Sequence, residues 1–323
     1  MYEEHFGLAR CPFSMTPDPE LVYMTAGHRE ALAGLVYTIL QRKGFVALVG
    51  EAGTGKSTML SRTLRHLPLN KVVSSVIFNP TLNSSEFMEY MMIDFGLEPV
   101  PESKAQRLTK LHTFLLKTHS LGKCAALIVD EAHVLSPVLL EEIRLLSNLE
   151  LPGEKLLQIV LAGQPELVDL LNQPNLRQLN QRISVRLNIG LLTPTQVTEY
   201  IHYRWTKSAQ NSPPFSPESY PLIAKYSSGI PRLVNSICDN ALMLAFADKS
   251  PLVEARHIQT ACRDLCLVTP KAAAAAAGNG APQTAQDTFI TPLRVLESYN
   301  TEKRSFWPWW GRSAAGHRSE RNL

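Results

Sequence analysis

Gly50-Glu51-Ala52-Gly53-Thr54-Gly55-Lys56-Ser57 follows the apolar run Phe45–Val49 and opens a helical pattern that continues to His66. The octet meets every fixed position of GxxxxGK[ST], and a strand entering with a helix leaving is the context that motif requires. Its glycines let the backbone curl so that successive N–H groups face a β-phosphate, and the helix N-terminus adds positive potential. We therefore assign Gly50, Glu51, Ala52, Gly53, Thr54, Gly55, Lys56, Ser57 and Thr58 to ATP binding. Lys56 is expected to reach the β- and γ-phosphates, and the Ser57 hydroxyl to ligate Mg²⁺.

Downstream, the apolar stretch Ala125–Val129 ends in Asp130-Glu131-Ala132-His133. Two adjacent carboxylates at a strand end are what Mg²⁺-dependent hydrolysis needs: Asp130 to hold the metal, directly or through water, and Glu131 to polarise the attacking water. His133 reads as a surface or hinge histidine. Phosphoryl transfer also calls for a γ-phosphate sensor and additional positive charge. Gln164 directly follows the fourth apolar run, which puts it at the carboxyl edge beside the nucleotide. Arginine candidates cluster at Arg177, Arg182 and Arg186, with Arg182 between a helix and the next strand. Gly229-Ile230-Pro231-Arg232 places Arg232 in the first turn of a further helix, within reach of the γ-phosphate.

Outward from these motifs, short apolar runs alternate with helical periodicity. Phe45–Val49, Val72–Phe78, Ala125–Val129, Leu156–Ala162 and Ile183–Ile189 read as parallel strands. Helical patterns precede them at His28–Gln41 and intervene at Lys56–His66, Ser84–Phe95, Ala105–Ser120 and Pro137–Leu149. This predicts an α/β fold with a P-loop NTPase parallel-sheet core and ligands at the carboxyl ends of the strands. The lead-in, Phe6–Asp18, reads as irregular chain packed on that core. From Thr193 strands give way to helices, with starts at Thr193-Pro194, Ser216-Pro217 and Pro231 and a last helix over Val253–Cys266. The expected division is a nucleotide-binding part over 1–190, a small all-α lid over 191–268, and a linker and tail over 269–323. The tail begins with the alanine run Ala272–Ala277 and ends near Phe306-Trp307-Pro308-Trp309-Trp310, flanked by Lys303, Arg304 and Arg312. That cluster suits a partner groove, a membrane surface, or nothing beyond a solvated end.

A length of 323 residues and a hydrophobic share of 45% allow one large core and a smaller appendage. The net charge of +3 neither demands nor excludes a nucleic-acid partner. No dense Lys/Arg run is present, which speaks against a DNA groove. The five cysteines lack zinc-knuckle spacing and read as reduced thiols, pointing to a cytosolic compartment. Neither a signal peptide nor a run of bilayer-spanning length is visible.

With these residues in hand, the chain resembles AAA+ ATPases, and more narrowly the ExeA-like, or general secretion pathway protein A, family. The specific matches are Phe6-Gly7-Leu8, Pro12-Phe13, Thr16-Pro17-Asp18-Pro19, Tyr23, His28-Arg29-Glu30-Ala31-Leu32 and Ala162-Gly163-Gln164-Pro165-Glu166-Leu167. Asp130-Glu131-Ala132-His133, Gln181-Arg182-Ile183 and Gly229-Ile230-Pro231-Arg232 continue the resemblance to Cys266. It implies a sensor role for Gln164, a finger acting on a neighbouring subunit for Arg182, a second sensor in Arg232, and ATP-driven ring or filament assembly. It also implies service to secretion, pilus or exopolysaccharide export, on the cytoplasmic side or peripheral at the inner membrane. Related ATPases of the TniB and TnsC type regulate DNA transposition, the alternative function. Longer family members add a membrane-spanning helix and a peptidoglycan-binding domain, and this sequence shows neither.

Overall fold

The computed structural model describes residues 2–16, 21–68, 70–78 and 80–267. Pro17–Pro19 of the lead-in match and the whole tail from 268, with its tryptophan cluster, lie outside the described residues.

Five strands form one sheet: β1 (Phe45–Gly50), β2 (Val72–Ile77), β3 (Cys124–Val129), β4 (Leu157–Gly163) and β5 (Ile183–Ile189), in the order β2-β3-β4-β1-β5. Every pairing is parallel. β4 thus lies between the strand that enters the P-loop and the strand that ends at Asp130, and all their carboxyl ends share one edge. Alternate residues serve opposite faces. Ala125, Leu127, Val129, Ile159 and Leu161 face one apolar core, and Ala126, Ile128, Val160 and Ala162 face another.

The second of these cores is closed by α2 (Ala26–Leu40), through Ala31, Leu35 and Ile39, and by α3 (Lys56–His66), through Met59 and Leu60. The first is closed by α4 (Ser84–Asp94), α5 (Lys104–Ser120) and α6 (Pro137–Leu146). α6 stops three residues before the sequence pattern predicts, because Ser147 donates back to Arg144 and a short hairpin, Glu150–Leu151 with Glu154–Lys155, follows. Two short helices with too few residues to show periodicity, Glu166–Leu171 and Arg177–Asn180, follow β4.

After β5 come four longer helices: Pro194–Thr206, Ser219–Ser227, Pro231–Ala247 and Ala255–Asp264. The first has the expected Thr193 cap, reciprocated by Gln196. The second begins at Ser219, later than the Ser216-Pro217 start. Residues 214–216 are taken up by a parallel bridge of Phe215 to Val253, in which Ser216 N–H donates to the Val253 carbonyl at 2.9 Å. The lead-in also departs from expectation. Tyr2–Phe6 forms a short helix, α1, and Tyr2, Phe6 and Phe13 pack not on the sheet but into the helical core around Trp205, Phe215 and Val234. The same aromatic side chains fill either cavity equally well by composition, so only the three-dimensional arrangement selects one.

All five cysteines are free thiols. Burial pushes Cys124 and Cys262 up to about 11, which keeps them protonated and unreactive. Among the described residues no helix is long and apolar enough to cross a membrane.

Candidate nucleotide site

The P-loop leaves β1 at Gly50 and turns through Gly53 and Gly55, at φ +79° and +102°. Such angles are strained for any residue with a Cβ. Gly55 caps α3 with no side-chain hydrogen bond, so the first N–H groups of the helix stay open for an anion. Lys56 is buried, and its Nζ donates to the Gly50 and Glu51 carbonyls at 2.8 and 3.1 Å, with no carboxylate partner. A buried ammonium held only by neutral acceptors is a cation prepared for phosphate oxygens.

Ser57 Oγ donates to Asp130 Oδ2 at 2.5 Å, although the two residues are 73 positions apart. The predicted pair of metal ligands is therefore assembled. Asp130 is buried, and its other oxygen accepts the Glu131 backbone N–H at 2.9 Å. Glu131 adopts left-handed backbone geometry, φ 50°, and lies in the cleft above the P-loop. Gln164 sits at the end of β4 as expected, but its side chain meets His133, with Nε2 atoms 3.1 Å apart. His133, read from the sequence as a surface or hinge residue, is thus brought into the site.

Arg232 opens the helix Pro231–Ala247 and lies against the loop: its N–H donates to the Gly53 carbonyl at 3.3 Å. A Cβ on Gly53 would come within 2.7 Å of the Arg232 Cβ. Arg182 is not at this edge. It precedes β5 at the amino end of the sheet, where its guanidinium donates to the Arg144 carbonyl and to Ser147 Oγ. Arg186 is bound to Asn180 on the same side.

The cleft has a volume of about 430 Å³ and is walled by the P-loop, Arg232, the lead-in residues Ser14–Thr16 and Tyr23. Sequence reading did not assign several of its polar residues. His28 lies under the loop, where Nε2–H donates to the Thr54 carbonyl at 3.3 Å and Nδ1 accepts from Thr25 Oγ at 2.6 Å. Arg204 is buried and donates to the Pro12 carbonyl at 2.5 Å, the Ser14 carbonyl at 3.5 Å and Tyr200 Oη at 2.8 Å. Tyr200 in turn donates to Asn235 at 2.9 Å. Arg204 fastens the lead-in to the helices Pro194–Thr206 and Pro231–Ala247 from 190 or more positions away, a pairing no local pattern announces.

Burial holds the His28 pKa below its ordinary 6.5. The folded state therefore favours the neutral ring. The stability this adds is complete above 6.5 and is lost as the pH falls from there toward the folded-state value. Urea midpoints measured between about pH 8 and 5 should fall with acidification, and His28→Gln should flatten that slope. An unchanged slope in the variant would assign the acid sensitivity to other groups.

The AAA domain family matches residues 39–171, a span running from the end of α2 through the P-loop, Asp130-Glu131 and Gln164. Residues 39–171 are thus an AAA domain with a P-loop. The chain is 41% identical over 248 residues to general secretion pathway protein A of Aeromonas hydrophila, covering 76% of the chain and 45% of that protein. It thus spans about half the length of the curated relative it matches. The fold is that of ORC2 from Aeropyrum pernix, solved in ADPNP-ADP complexes, with a TM-score of 0.59 at 16% identity over 79% of this chain and 72% of that one. A Drosophila ORC structure bound to DNA aligns with a TM-score of 0.58 at 18% identity, over 81% and 66% of the two chains. At these identities the likeness is one of fold.

Proposed function

We propose that this chain binds ATP with Mg²⁺ in the cleft and hydrolyses the nucleotide, with Glu131 as general base, as an oligomer serving a bacterial secretion or export system. The observation that carries the chemistry is the Ser57–Asp130 contact at 2.5 Å beside Lys56 and the open N–H groups of α3. The export role rests on the similarity to general secretion pathway protein A, and localisation at the cytoplasmic side of the inner membrane goes with it.

Bound Mg·ATP supplies the phosphoanhydride bond to be cleaved and a cation that offsets charge on the phosphates. Lys56, now on its loop carbonyls, would supply its charge to phosphate oxygens, and Ser57 and Asp130 would hold the metal. Glu131 orients water and accepts its proton, and Gln164 positions that water from the neighbouring strand end. Arg232 carries its positive charge on the lid part, 191–268, against the nucleotide-binding part, 1–190, so that lid closure tracks the nucleotide. Arg182 lies at the opposite edge of the sheet from its own P-loop and so serves only a neighbouring subunit. Arg177 is the alternative finger.

A DNA-associated role finds little basis on the most basic helix. In α5, three of the four Lys/Arg side chains are engaged within the fold: Lys104 pairs with Glu142, Arg107 binds the Pro101 carbonyl and Ser85, and Lys110 binds the Pro99 carbonyl, while Lys117 stands outside these contacts.

Specific ATPase activity of the full chain, measured against protein concentration with Mg²⁺, tests the proposal. Activity that rises with concentration and vanishes on chelation of Mg²⁺ is expected. A flat profile rejects the shared site, and no hydrolysis at any concentration rejects the motor reading. Stimulation by duplex DNA at low salt would favour the alternative.

A further inference from the structure

Glu131 presents an unmet requirement. Its side chain is 42% exposed, yet Oε2 is shielded from solvent and has no hydrogen-bond partner. The atom facing Oε2 is His133 Nδ1, 3.4 Å away. The His133 side chain is only 14% exposed, and its second nitrogen, Nε2, lies 3.1 Å from the Gln164 side-chain nitrogen. One imidazole therefore stands between the general base and the residue at the end of β4.

Two neutral tautomers are available to it. With the proton on Nε2, Nδ1 accepts the Gln164 backbone N–H at 3.5 Å. That arrangement turns a lone pair toward Oε2 and leaves a shielded carboxylate oxygen unsatisfied, which is unfavourable. With the proton on Nδ1, the ring donates to Oε2, and Nε2 accepts from the Gln164 amide in the orientation the side chain already has. The second tautomer satisfies both neighbours at the loss of one long backbone contact.

We propose that His133, protonated on Nδ1, is a positioning residue that couples Gln164 to Glu131: the Gln164 amide donates to Nε2, and Nδ1–H donates to Glu131 Oε2. The coupling rests on the hydrolysis reading above. With Oε2 held by the ring and the ring held by Gln164, the remaining carboxylate oxygen, Oε1, is kept in one pose from which it meets water, and loss of either partner leaves the base unplaced.

Two measurements on the full-length protein test this. In the first, ¹⁵N-labelled imidazole resonances assigned through His133→Ala report the tautomer without nucleotide. Nδ1 protonation is expected, together with a shift of the Nε2 resonance in Gln164→Ala. An Nε2-protonated ring, or one indifferent to Gln164, overturns the proposal whether or not the protein turns over ATP. In the second, His133→Ala is expected to lower kcat about 10–100-fold with KM within about threefold. His133→Asn, which keeps a donor near the Nδ1 position, is expected to recover part of the loss. Combining His133→Ala with Gln164→Ala should cost much less than the product of the two single losses. Multiplicative losses would mean that the residues act separately. Absence of wild-type turnover with the Nδ1 tautomer present would reject hydrolysis and leave the hydrogen-bonded relay standing.

Discussion

Glu131→Gln is expected to lower kcat for ATP hydrolysis about 10²–10⁴-fold while the protein still binds nucleotide. Glutamine keeps the size and shape of the side chain but cannot accept the proton of the attacking water. The groups that hold nucleotide are untouched: Lys56 on the Gly50 and Glu51 carbonyls, and Ser57 on Asp130. The contact from position 131 to Asp130 is made by the backbone N–H and survives the change. Phosphate release gives kcat, and titration of a fluorescent ATP analogue gives Kd. Retained turnover would remove Glu131 as the base. A lost Kd would mean that the carboxylate shapes the pocket rather than the chemistry.

Gly229→Ala is the substitution expected to cost the fold most. Gly229 has φ +76°, and an added Cβ would lie 2.1 Å from the Leu192 carbonyl oxygen and 3.0 Å from its nitrogen. Both are backbone atoms that cannot rotate aside. Leu192 N–H donates to the Gly229 carbonyl at 2.8 Å, so the clash also opens a hydrogen bond linking the end of the sheet to the start of the Arg232 helix. A loss of about 3 kcal/mol or more follows, read as a lower urea midpoint at constant slope. Gly96→Ala isolates the cause. It shares φ +76° but meets nothing within 4 Å, so it should cost only the backbone strain of about 1–2 kcal/mol. Equal losses at the two sites would show that the Leu192 contact is unimportant. Because Arg232 N–H rests on the Gly53 carbonyl, weakened nucleotide binding is expected alongside the stability loss.

What was legible in the sequence shares one property: each signal is local. The P-loop is eight consecutive residues whose glycines and lysine have meaning together. The strands announce themselves by apolar runs, and Ile183–Ile189 has the predicted limits. Thr193 and Pro231 declare helix starts through capping chemistry that acts within one turn. Ser216-Pro217 carries the same local signal, and there a bridge to Val253, distant in sequence, outweighed it.

The tertiary structure alone decided the rest, because those contacts depend on which distant segments the sheet order makes neighbours. Placing β4 between β1 and β3 brings Gln164 beside His133 and Glu131, where a histidine that looked peripheral becomes part of the site. His28 reaches the P-loop only because α2 lies under it, and Arg204 reaches Pro12 across 192 positions. Tyr2, Phe6 and Phe13 chose the helical core over the sheet for the same reason. Residue type and spacing determined that this chain builds a phosphate loop and a parallel sheet. Which polar groups surround that loop was decided by close packing, since a buried donor or acceptor must find its partner wherever the fold has placed one.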